Sequence, residues 1–149
     1  MGFLPGTAAQ KMSVFEQPYT EICAKLFDNS SAYQNLKNKG IISFESTSFL
    51  RGLTVDNTII ILDEFQNLDQ HGITTVMSRV GNNSKIILCG DKKQDDLSSE
   101  RFKEISGANA ALKICSRIPS MRTVEFNVED IVRSGFAREL ALAMIECGL

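Results

Sequence analysis

The chain has 149 residues, 43% of them hydrophobic and 23% charged, and a formal net charge of −2 at pH 7. This balance describes a single globular domain over residues 1–149 and excludes disordered, repetitive and uniformly basic chains, so any nucleic-acid contact must come from a local patch. No apolar run is long enough to cross a bilayer and the N-terminus lacks a signal-peptide pattern, which predicts a cytoplasmic protein with no membrane partner. The cysteines, Cys23, Cys89, Cys115 and Cys147, form no C-x-x-C pair and are expected as reduced thiols. His71 is the only histidine, so neither a histidine-based metal site nor a Ser-His triad can be assembled.

From the N-terminus, Tyr19, Ile22, Cys23 and Leu26 recur at helical spacing and predict a helix from Pro18 to Asp28. A second short helix is expected from Ser31 toward Lys39, stopped by Gly40. Four strands are expected, at Ile41 to Phe44, Thr58 to Leu62, Lys85 to Cys89 and Thr123 to Phe126. Asp69 reads as the N-cap of a helix with Ile73, Val76, Met77 and Val80 on one face, ended by Gly81. Two later helices carry Ala108, Ala111, Leu112 and Cys115, then Leu140, Ala143, Met144 and Cys147. Strands alternating with helices predict an α/β fold with a parallel sheet flanked by helices.

The run from Thr58 to Leu62 stops abruptly at Asp63-Glu64. Burying each of its aliphatic side chains stabilises the fold by about 1.5–3 kcal/mol, whereas a buried unpaired carboxylate costs several, so the acids must sit where the strand emerges. In open α/β sheets ligands bind at that edge, and an acid pair after an apolar run is the Walker B pattern. In that pattern the Asp63 position holds Mg²⁺ and the Glu64 position polarises the attacking water. The plainer alternative is a strand ending in a polar turn. A second strand of the same construction, Ser84 to Cys89, stops at Gly90-Asp91-Lys92-Lys93-Gln94. Gly90 lets the backbone approach a ligand, Asp91 can serve the metal shell, and Gln94 can sense a terminal phosphate through its amide.

The segment from Ile59 to Leu97, with ILDEFQN, SRVGNNSK and ILCGDKKQDDL, resembles the PhoH-like ATPases, relatives of superfamily-one helicases. Gly2-Phe3-Leu4-Pro5-Gly6 with Gln10-Lys11, Arg51-Gly52 and Glu129-Asp130-Ile131-Val132-Arg133 extend the resemblance over nearly the whole chain. Phe65 stands where cellular members carry a small residue, a change typical of phage-type sequences; a phage-encoded protein would work in the host cytoplasm. The resemblance implies a RecA-like P-loop NTPase core that binds ATP and Mg²⁺, with Asp63 as metal holder and Glu64, Gln94 and Arg133 in catalysis. Gly90, Asp91 and Arg79 would contact the nucleotide. RNA or another single-stranded nucleic acid, and a homo-oligomer of the complete protein, are the implied partners.

A P-loop requires G-x-x-x-x-G-K-[ST], and this sequence contains no Gly-Lys dipeptide. In the family that loop lies upstream of the position of Met1. The chain is therefore expected to be a C-terminal portion lacking the Walker A strand and loop, with a truncated gene, a split protein and an internal start all compatible. Two other functional classes fit some of the residues. A non-catalytic binding module of the same fold fits the absent P-loop. A metal-dependent nuclease would use Asp63, Glu64, Asp91, Asp95 and Asp96 around Mg²⁺, which accounts for the acids but for neither Gln94 nor Arg133. Arg79 has a plain reading as a solvated helix residue, Arg133 as a salt-bridge partner of Glu129, and Lys92 and Lys93 as exposed turn residues.

Overall fold

The computed structural model describes residues 8–47, 50, 52–91 and 107–147, with side chains from residue 12 onward. Gly2 to Gly6, Arg51, and Lys92, Lys93, Gln94, Asp95 and Asp96 lie outside the described residues. The chain divides into two compact units, Met1–Gly52 and Leu53–Leu149.

The first unit is a helical hairpin of α1 (Ala8–Leu26) and α2 (Ala32–Asn38). Helix α1 begins at Ala8, upstream of the start expected at Pro18, and holds Pro18 in its interior. A proline there removes one backbone hydrogen bond, and the remainder of this 19-residue helix carries the ladder through. Ala32 and Tyr33 of α2 are buried. The Tyr33 hydroxyl donates to Glu16 Oε1 at 2.5 Å, and Lys37 Nζ pairs with the same oxygen. Burial alone would raise the Glu16 carboxyl, but hydrogen bonds from Lys37 and Tyr33 outweigh it and hold the group below the ordinary carboxylate range. Burial, then Glu16, pushes the Tyr33 hydroxyl far above the ordinary phenol range. The strand expected at Ile41 to Phe44 does not form: the segment has no ladder partner among the described residues, Ile41 is exposed, and the Phe44 ring packs on Tyr19 at a centroid distance of 5.6 Å.

The second unit is built on a βαβ arrangement. Strand β1 (Ile59–Leu62) pairs in parallel with β2 (Lys85–Leu88), in register from Ile59 opposite Lys85 to Leu62 opposite Leu88. The crossover contains α3 (Gln70–Met77), whose N-cap is Asp69, as expected; its carboxylate accepts the Gly72 N–H at 2.6 Å. Ile73 and Val76 are fully buried, worth about 1.5–3 kcal/mol each. Helix α4 (Gly107–Cys115) packs on α3 through Ala108, Ala111 and Cys115. A Cβ on Gly107 would lie 2.4 Å from the Asp69 carbonyl carbon, so only glycine permits this approach of the two backbones.

Two of the four expected strands form among the described residues. Thr123 to Phe126 has no ladder partner among the described residues, and Val124 and Phe126 are 76% and 83% exposed, so the segment is not a strand. The last helix, α5 (Phe136–Glu146), forms as expected but buries none of its residues. One face of the sheet is also bare: Ile59 and Ile61 are 63% and 62% exposed, whereas Leu62 is buried on the opposite face. No described helix is long and apolar enough to cross a membrane.

The Glu16 arrangement predicts acid sensitivity of the hairpin. A carboxylate with a lowered folded pKa contributes stability that is complete above the unfolded value, about 4.3, and is lost as the pH falls through the folded value. The Tyr33 ring signals in an NMR titration should therefore shift below about pH 4. Glu16→Gln should abolish that acid transition and, at neutral pH, destabilise the hairpin by about 1 kcal/mol. A Tyr33 signal indifferent to acid would contradict the triad.

Candidate functional site at the carboxyl end of the parallel pair

Because β1 and β2 run in the same direction, their C-terminal ends emerge on one edge. Ladder pairing continues past the strands: Cys89 N–H donates to Leu62 O at 2.9 Å and Phe65 N–H to Cys89 O at 3.1 Å. This brings Asp63-Glu64 and Gly90-Asp91 together, as the two polar-tipped strands predict. Asp63 and Glu64 are exposed, whereas the next two side chains, Phe65 and Gln66, turn inward and are buried. The reversal occurs at Glu64, which adopts the left-handed conformation with φ 50° and ψ 41° and begins a 3₁₀ turn, Phe65–Asn67. A non-glycine residue held there stores strain of about 1–3 kcal/mol, offset here by the burial that follows. The Asp63 Oδ1 atom accepts the Glu64 N–H at 3.0 Å.

Gln66 is 1% exposed and spans the edge. Its Nε2 donates to Glu64 Oε2 at 2.6 Å, and its Oε1 accepts the Asp91 N–H at 3.3 Å. Gly90 is required by proximity, since an added Cβ would meet Gln66 Oε1 at 2.3 Å and the Phe65 ring at 2.6 Å. Neither the strand pattern nor the acid pair singles out Gln66. The signal available was an amide set between the inward-facing Phe65 and Leu68.

The other expected residues fall elsewhere. Gln94 is outside the described residues. Arg79 follows α3 at the opposite end of the unit, where its backbone oxygen accepts the Val55 N–H at 2.8 Å. Its guanidinium donates to the carbonyls of Thr75 and Leu53 and to Ser78 Oγ, all at 3.0–3.3 Å, so it closes the C-terminal end of α3 onto the chain that leads into β1. Arg133 lies between a 3₁₀ turn, Val128–Asp130, and α5; it is exposed, and among the described residues it forms no ion pair with Glu129.

Among the described residues no three His, Cys, Asp or Glu side chains converge to hold a metal ion, so Asp63, Glu64 and Asp91 do not make the carboxylate cluster of the nuclease reading; Asp95 and Asp96 lie outside the described residues. Mg²⁺ brought by a nucleotide asks less of the protein, since that ion retains waters and takes only one or two protein carboxylates besides phosphate oxygens. Asp63, exposed at the strand end, would be that ligand. The Cys89 thiol is pushed up, first by burial and then by the Asp63 carboxylate. It should therefore alkylate more slowly than exposed Cys147 at pH 8. Asp63→Asn should speed Cys89 labelling, read by mass spectrometry of the digested protein, and equal rates with and without that carboxylate would separate Asp63 from Cys89.

A sequence profile of the family described as PhoH-like protein matches residues 1–145. The PhoH-like protein of Mycobacterium leprae is 30% identical over 98% of this chain and 41% of its own length. That of Bacillus subtilis is 30% identical over 89% of the chain and 40% of its length. Protein PhoH of Escherichia coli is 30% identical over 93% of the chain and 38% of its length. The chain thus spans about two fifths of the length of these relatives, and within that span its motifs, its polar-tipped parallel strands and the match over nearly every residue place it in the PhoH-like protein family.

Proposed function

We propose that the Asp63–Glu64 edge is the hydrolytic half of a Mg²⁺-dependent ATPase site in a RecA-like P-loop fold, with the Walker A segment supplied from outside this sequence. The observation that carries the reading is the shared edge, where Glu64 is exposed, conformationally fixed and tied to the turn after β2. Asp63 would hold the Mg²⁺ that neutralises phosphate charge. Glu64 would orient and polarise the attacking water. Gln94 would sense the terminal phosphate, and exposed Arg133 would engage charge developing on the moving phosphoryl group, in the same protomer or a neighbouring one. Arg79 is left out of this reading, since its guanidinium donates to the Thr75 and Leu53 carbonyls at the other end of the unit.

Two features support completion of the fold by a further segment. Parallel sheets are ordinarily covered on both faces, and here Ile59, Ile61 and Ile87 face solvent. The strand-like Thr123–Phe126 stretch, with exposed Val124 and Phe126, would also gain a ladder neighbour. A homo-oligomeric complete protein, acting in the cytoplasm on RNA or another single-stranded nucleic acid, is the extension of this reading. A phage origin remains attached only to Phe65.

Glu64→Gln, tested in the chain joined to a Walker A-bearing segment, should retain Mg²⁺-ATP binding and lose about 10²–10⁴-fold in turnover, or roughly 3–5 kcal/mol of barrier stabilisation. Parental phosphate release would refute the assignment of Glu64.

A further inference from the structure

We propose that Gln66 is a positioning residue, a buried amide strap that aims the Glu64 carboxylate according to the placement of the turn after β2. Its consequence for catalysis rests on the reading of Glu64 as the group that orients water. A polar side chain only 1% exposed must have partners, and the amide has one of each kind. Its NH₂ faces a carboxylate and its carbonyl faces a backbone N–H. The flipped orientation would set oxygen against carboxylate oxygen and NH₂ against N–H, so both neighbours dictate the same assignment.

The amide is one planar group, so neither bond can move without the other. An exposed glutamate would ordinarily sample several rotamers. Here Glu64 is held at 2.6 Å by a buried side chain whose Oε1 lies close against Gly90. A shift of the Gly90–Asp91 backbone releases the Oε1 end of the strap and with it the acid. The turn leads directly into the segment carrying Gln94.

The test reads Asp91 amide hydrogen exchange by NMR in the 149-residue chain. Gln66→Met keeps the volume and removes both hydrogen bonds; Asp91 exchange should accelerate about tenfold. Glu64→Ala should accelerate it several-fold by freeing the other end of the strap, and should add nothing in the Gln66→Met background. Unchanged Asp91 exchange in Gln66→Met, or additive effects of the two changes, overturns the strap. If Gln66→Met does not fold, Glu64→Ala, at an exposed position, decides the matter alone. In the chain joined to a Walker A-bearing segment, Gln66→Met should lower kcat about 10–100-fold with KM for ATP within about twofold. A rise in KM at unchanged kcat would overturn the aiming role. Failure of the reading of Glu64 itself shows separately, as full hydrolysis by Glu64→Gln with the exchange coupling intact.

Discussion

Parallel pairing of Ile59–Leu62 with Lys85–Leu88 is the constraint from which the rest of the second unit follows. An antiparallel pair would send the two polar tips to opposite edges. Parallel pairing instead places Asp63-Glu64 beside Gly90-Asp91 and demands a crossover, supplied by α3. The crossover buries Ile73 and Val76, α4 closes over it through small residues, and Arg79 fastens its far end. The chemistry-bearing edge is thus held by a rigid support, while its carboxylates stay in water.

The edge itself combines opposed terms. A left-handed Glu64 costs free energy, but it turns Phe65 and Gln66 inward, where burial of the ring and the two hydrogen bonds of the amide offset it. Replacing Gln66 by an apolar residue would relieve a buried polar group yet leave the Asp91 N–H and the Glu64 carboxylate without that shared anchor. A plain strand terminus needs none of these features. Their concurrence at the strand ends of a member of the PhoH-like family favours a site over an ordinary turn.

Much of the second unit was legible in the sequence because local and tertiary preferences agree there. The apolar run at Ile59–Leu62, the Asp69 cap and the Ile73/Val76 spacing all point to elements that form as expected. Where a strand depends on a distant partner, its composition alone misleads: Ile41 to Phe44 and Thr123 to Phe126 have strand-like residues but no neighbouring ladder among the described residues. Pro18 misled in the other direction, since a helix start and a tolerated interior proline share the same local signal. The approach of Asp63 and Asp91 could be read from the two strand ends. The strap of Gln66 could not, because it depends on an inward turn at Glu64 that no residue preference announces.

On the proposed reading the chain carries the metal and water chemistry of a nucleotide site without the backbone cradle and lysine that bind phosphates. Titration calorimetry of Mg²⁺-ATP into the 149-residue chain tests that division most directly. A hydrolytic half-site alone should show no saturation up to nucleotide concentrations on the order of 1 mM, with binding appearing when a Walker A-bearing segment is supplied. Saturable ATP binding at micromolar concentrations by the chain alone would contradict it.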